Sequence, residues 1–173
     1  GNIHRTPYSG RNFEYYSEDP LIAGHMASAA VKGIQSQGIA ATPKHFAFNN
    51  KETNRKQSDS IVSERAAREI YLKSFEYMVK NSEPWAIMSS YNIVNGQHTS
   101  ECKDLLTNIL RGEWGYKGIV MTDWWTRAEQ WREVKAGNDV KMACGYPEQL
   151  LEAVDEGKIS MDEIKTSVRR VLE

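Results

Sequence analysis

The chain has 173 residues, 40% of them hydrophobic and 26% charged, which is length enough for one domain with a buried core. A formal net charge of -1 with scattered Lys and Arg leaves no electrostatic footprint for nucleic acid or an anionic membrane, and no apolar run approaches the roughly 18 residues of a membrane span. Two cysteines, Cys102 and Cys144, are too few for a disulfide framework and lack metal-ligand spacing, so both are expected to be packing residues.

In chain order, the loop SGRNFEYYSEDP comes first and carries Arg11, for which an ion pair with Glu14, Glu18 or Asp19 is the plain structural account. Leu21 to Gln35, apolar at Ile22, Met26, Ala30 and Val31, predicts a helix. Gly38 opens IAATPKHFAF, a strand running toward Lys44 and His45, and a long polar loop spans Asn49 to Ser60. Ser63 is a candidate N-cap for a helix whose buried face is Ala66, Ile70, Phe75, Met78 and Val79. Glu64, Arg65, Arg68 and Glu69 read as its solvated face.

WAIMSSYN, residues 85–92, is the next strand, and Cys102 to Trp114 is a helix stopped by Gly115. GIVMTD predicts a strand, Thr126 to Lys135 a helix, and DVKMACG from Asp139 a strand. Glu148–Glu156 and Ser160–Leu172 close the chain as helices, the last with Asp162 and Glu163 in its first turn, where the helix dipole favours negative charge.

This strand–helix rhythm argues an α/β fold with a parallel sheet. In such folds the reacting groups gather at the carboxyl ends of the strands. Lys44 and His45 end one strand, Ser89 to Asn92 another and Asp123 a third, so three strands deliver polar groups to one edge. Asp123 alone is as readily a helix N-cap. Trp124 and Trp125 shift the balance, because flat rings beside a carboxylate suit the C–H face of a sugar. With no Asp/Glu/His cluster to share a cation, a nucleophile is preferred to a metal ligand. Lys44 and His45 point to opposite faces of an extended segment unless the backbone bends there. As paired donors they suit a polyol. Met88 reads as core from composition.

With these residues assembled, the chain resembles the barrel domain of glycoside hydrolase family 3, the β-glucosidase group in particular. NIHRTPYSGRNFEYYSEDP, ATPKHFAFNN, VSERAAREIYLKSFE, MSSYNIVNG, LRGEWGYKGIVMTDWW and AGNDVKM carry the resemblance, in order, over nearly the whole length. It implies a partial (β/α)8 TIM barrel with about four parallel strands in this chain, since a complete barrel needs about 250 residues. It also implies that Asp123 is the catalytic nucleophile and that Trp124 walls the pocket. Arg11, Lys44 and His45 would hydrogen-bond the glycone, and Tyr91 and Met88 would line the same subsite.

A retaining glycosidase needs one carboxylate to attack the anomeric carbon and a second carboxyl group to protonate the leaving oxygen. The family places the second group, in β-glucosidases, on a separate domain. Residues 1–173 are therefore expected to be a single incomplete barrel domain, with the remaining strands and a companion acid/base domain outside it. The loop KHFAFNNKETNRKQSDSIVSER lacks the KHFPGHG…DSH pattern of the N-acetylhexosaminidase branch, so that branch is disfavoured. The expected partner is a small carbohydrate, with no metal or organic cofactor, and sparse cysteine favours a cytoplasmic location. A β-xylosidase, a Schiff-base lyase using Lys44 and a non-catalytic carbohydrate-binding or structural half-barrel are the alternatives.

Overall fold

The computed structural model describes residues 1–173. Its elements run α1 (Pro20–Gln35), β1 (Asp59–Ser60), α2 (Glu64–Ala66), a π-helical turn (Ala67–Tyr71), α3 (Lys73–Ser82), β2 (Ala86–Met88), β3 (Ile93–Val94) and β4 (Gln97–His98). There follow a 3-10 turn (Thr99–Glu101), a π-helix (Asp104–Glu113), β5 (Ile119–Met121), α4 (Gln130–Ala136), α5 (Pro147–Asp155) and α6 (Met161–Leu172).

Strands β2 and β5 pair in parallel, Ala86 with Ile119, Ile87 with Val120 and Met88 with Met121. Parallel bridges extend the pairing on both sides, from Phe46 to Ser89 and from Met121 to Val140. The order is thus the segment before His45, then β2, β5 and the segment at Val140, four parallel segments side by side as expected for part of a barrel wall. The two outer segments are less regular than the sequence suggests. Pro43 has no N–H, so the first segment serves β2 mainly through carbonyls, Ala86 N donating to Ala41 O and Met88 N to Pro43 O.

Alternation sets what each strand side sees. Ile87 and Val120 are fully buried against the helices, while Met88, Ile119 and Met121 are half-buried on the opposite side, the lumen of a closed barrel. The helix side holds Phe46, Phe75, Met78, Leu106 and Leu110, all without exposure. Phe46 packs edge-on to Phe75 and Trp114, with centroids 5.1 and 5.8 Å away.

Several sequence expectations change here. The buried face of α1 is Ala23, Gly24, Ala27, Ser28 and Val31, whereas Ile22 and Met26 are exposed. Close packing on α3 selects small residues; a Cβ on Gly24 would lie 3.0 Å from the Tyr77 Cβ. In the second helix Ser63 caps as expected, its Oγ accepting from Ala66 N. Phe75, Met78 and Val79 are buried, but Ile70 is 41% exposed and Leu72 takes the inward position. The cause is the π-turn, in which Leu72 N donates to Ala67 O five residues back. One extra residue per turn rotates the apolar face away from a 3.6-residue count. The helix expected from Thr126 starts only at Gln130, because Thr126 is drawn into a buried cluster described below.

A β3–β4 hairpin, Ile93 with His98 and Val94 with Gln97, was not foreseen, nor was the parallel pairing of β1 with β3. Its turn, Asn95-Gly96, has φ of 48 and 86° at the two central residues, the chemistry a two-residue hairpin requires. Cys102 packs against the core as expected, but Cys144 is exposed. Behind the sheet, the Asp139 carboxylate accepts from Val120 N at 2.9 Å, Arg111 Nη2 at 2.7 Å and Arg170 Nη1 at 3.0 Å. It ties β5, the π-helix and α6 into one unit.

Candidate active site

Asp123 follows β5 at its carboxyl end and is 5% exposed. Its Oδ1 accepts from Trp124 N at 2.7 Å, and its Oδ2 has no hydrogen-bond partner. Leaving a buried carboxylate oxygen unmatched is costly unless a ligand meets it.

His45 Nε2 lies 3.5 Å from Oδ2. Burial, with the cations Arg11 and Lys44 nearby, holds its pKa down at about 2, so the ring is neutral. Asn49 Nδ2 lies 3.2 Å from Nδ1. Each ring nitrogen thus meets a polar partner, and at Nε2 that partner is Arg11 Nη1, 3.2 Å away, a group that can only donate.

Arg11 and Lys44 share a counter-ion. Glu14 holds Arg11 Nε with one oxygen and lies 3.6 Å from Lys44 Nζ with the other. Of the three carboxylates weighed for Arg11, the structure selects Glu14 and adds Glu52, 3.7 Å from Nη1. Lys44 and His45 differ in setting, as their adjacency suggested: the imidazole is buried and the lysine side chain is 42% exposed.

Tyr91 is buried beside Asp123, and burial together with the Asp123 charge pushes its hydroxyl up to about 12. Its ring carries cations, Arg55 at 4.5 Å and Lys56 at 4.4 Å from the centroid. Trp124 and Trp125 are both largely exposed, 5.6 Å apart. Met88 sits half-buried on β2 and is bonded to the neighbouring segment through its backbone, Met88 N donating to Pro43 O and Phe46 N to Met88 O.

A web of hydroxyls and amides fixes these strand ends. Ser90 Oγ donates to Ala47 O, Thr99 Oγ1 to Ser90 O, and Ser89 Oγ to Asn138 Oδ1. Asn2 Nδ2 donates to His45 O and Tyr15 Oη to Asn49 O. The structure therefore brings Arg11, Lys44, His45, Tyr91 and Asp123 to one sheet edge, flanked by Trp124.

Sequence reasoning missed Glu14 as the shared counter-ion, and Asn49, Glu52, Arg55 and Lys56 in the loop after His45. The signal was present: a polar loop leaving a strand end in an α/β fold belongs to the functional face.

Residues 2–173 match the model for the N-terminal domain of glycosyl hydrolase family 3. The chain is 62% identical over 164 residues to beta-glucosidase A of Butyrivibrio fibrisolvens, which covers 95% of this chain and 20% of that protein. It is 47% identical over 160 residues to an exo-alpha-(1->6)-L-arabinopyranosidase of Bifidobacterium breve, covering 92% of this chain and 21% of the relative. Beta-glucosidase 3B from Thermotoga neapolitana, solved with glycerol, superposes with a TM-score of 0.96 at 51% identity, covering 99% of this chain and 25% of that one. The chain thus spans about a fifth to a quarter of these relatives. With its barrel-type parallel wall and this match along almost every residue, it belongs to glycosyl hydrolase family 3.

Proposed function

We propose that the chain carries the nucleophile and much of the glycone subsite of a retaining β-glycosidase that removes terminal β-D-glucosyl residues. The observation that carries this reading is the unpartnered Oδ2 of buried Asp123, faced by His45 and Tyr91.

In this reading Oδ2 attacks the anomeric carbon as the bond to the aglycone oxygen breaks, and that oxygen takes a proton from a general acid. A glycosyl ester forms on Asp123. Water then attacks the same carbon, the general acid acting as base, and the carboxylate departs with the anomeric configuration retained. Arg11, Lys44, His45 and Arg55 are donors for sugar hydroxyls, Tyr91 and Met88 line the subsite, and Trp124 offers a flat wall. The nearby carboxylates Glu14 and Glu52 are engaged with Arg11, Lys44 and Arg55, so the general acid is assigned to a companion domain.

Lys44 does not suit the Schiff-base alternative. Such a lysine needs desolvation, and this one is well exposed and paired with Glu14. Names of relatives favour a glucoside over a xyloside, while one relative is named for another glycone.

The test is to treat the complete polypeptide with 2,4-dinitrophenyl 2-deoxy-2-fluoro-β-D-glucoside and map the label by mass spectrometry. Label on Asp123, with the β-anomer as first product by proton NMR, is expected. Label on another residue, or the α-anomer first, refutes the reading.

A further inference from the structure

We propose that Lys56 is a positioning residue, its ammonium pinning the loop that carries Asp123 and so fixing the carboxylate for attack; this rests on Asp123 being the nucleophile. Lys56 Nζ donates to Trp125 O at 3.2 Å and stands 4.4 Å over the Tyr91 ring. It is half-buried and takes part in no ion pair, unlike its neighbour Arg55, which Glu52 holds at 2.9 Å. Without a counter-ion, its ammonium is met by a carbonyl dipole and a ring face, and here those belong to the site itself.

The loop needs such a restraint. Trp125 has a φ of 51°, in the left-handed region that a bulky residue adopts only when its surroundings hold it there. One residue back, Trp124 N is the donor that orients Asp123 through Oδ1. One residue on, Thr126 Oγ1 is anchored by Glu133 and Lys141. Lys56 holds the carbonyl in between. The contact reaches across 69 residues of sequence, joining the polar loop after His45 to the loop after β5.

Lys56 is itself held in place by a compact turn. Asn54, with a φ of 55°, starts it; Arg55 N donates to Glu52 O, and Gln57 N and Ser58 N both donate to Asn54 O. The turn presents Arg55 and Lys56 together to Tyr91.

The experiment compares the complete polypeptide with its K56M and K56R variants. Three quantities are measured: the first-order constant for inactivation by 2,4-dinitrophenyl 2-deoxy-2-fluoro-β-D-glucoside, the inhibition constant of glucose, and the thermal midpoint. In the inactivation a carboxylate oxygen bonds to the anomeric carbon as the bond to dinitrophenolate breaks. That leaving group needs no proton, so the general acid drops out.

K56M is expected to slow inactivation at least tenfold, with glucose inhibition changed less than twofold and the midpoint unchanged, and K56R to recover most of the rate. Inactivation of K56M at the parent rate overturns the proposal. So does an equal loss of glucose affinity, a lowered midpoint that accounts for the loss, or a K56R no better than K56M. Parent protein not labelled at Asp123 sinks the nucleophile reading instead, which separates the two failures.

Discussion

Lys141→Met removes one half of a buried ion pair behind the nucleophile loop. Lys141 Nζ lies 2.5 Å from Glu133 Oε2, with side-chain exposures of 6% and 1%. Lys141 also donates to Thr126 Oγ1 at 3.0 Å, and Thr126 in turn to Glu133. At that separation the attraction is roughly 6–7 kcal/mol for an effective dielectric of 20. Part of it offsets desolvation, and stranding one buried partner costs about 3–5 kcal/mol.

A loss of that size should lower the unfolding midpoint of the barrel by several degrees. The assay is thermal unfolding of the complete polypeptide at pH 7 and at pH 5. Burial, partly offset by Lys141, already pushes the Glu133 carboxyl above its ordinary range. A carboxyl raised in the folded state adds stability below its unfolded value and loses it as pH rises through the folded value. Without Lys141 the folded value climbs further, so the deficit should shrink on acidification as Glu133 takes up a proton. The double variant K141M/E133Q, which leaves no stranded charge, should recover most of the loss. A K141M deficit below about 1 kcal/mol, a deficit that grows at pH 5, or a double variant no better than the single one refutes the reasoning.

Asp123→Asn in the complete polypeptide should lower kcat by at least about 10³-fold while the far-ultraviolet circular dichroism stays unchanged; retention of a tenth of the activity contradicts the assigned role. His45, held neutral with a pKa of about 2, should show no imidazole titration by NMR above pH 4, and activity limbs between pH 5 and 8 should survive unmoved when they are traced to other groups. Its depressed value stabilises the fold above the unfolded value of about 6.5 and loses that contribution as pH falls toward 2. Ile70→Ala should change stability by less than about 0.5 kcal/mol and Phe75→Ala should cost about 3–5 kcal/mol, read from urea midpoints; equal effects would contradict the π-turn register. The 173 residues alone should give no turnover of 4-nitrophenyl β-glucoside, and brisk hydrolysis by them would refute a general acid outside this chain.

Much of the site was legible because strand ends are chemically marked. Asp123 ends an apolar run with two tryptophans behind it, and Lys44 and His45 stand before Phe46, so the α/β rule on carboxyl ends was enough to group them. Glu14 was visible as one of three partners for Arg11, but a choice among them depends on distances. The Asn95-Gly96 hairpin was also written in its dipeptide, but its strands, Ile93–Val94 and Gln97–His98, are too short to show an alternation.

The order of the main helices and parallel strands, the cap at Ser63, the parallel alternation and the identity of the polar groups at the strand ends are properties of local sequence. Propensity, capping and periodicity act over a few residues, so they can be read without coordinates. The rotated face at Ile70, the exposure of Ile22 and Met26, the neutral state of His45 and the reach of Lys56 to Trp125 were decided by the tertiary structure alone. Apart from the π-turn behind Ile70, each depends on which atoms meet across dozens of residues, where packing and desolvation outweigh local preference and leave no period to count.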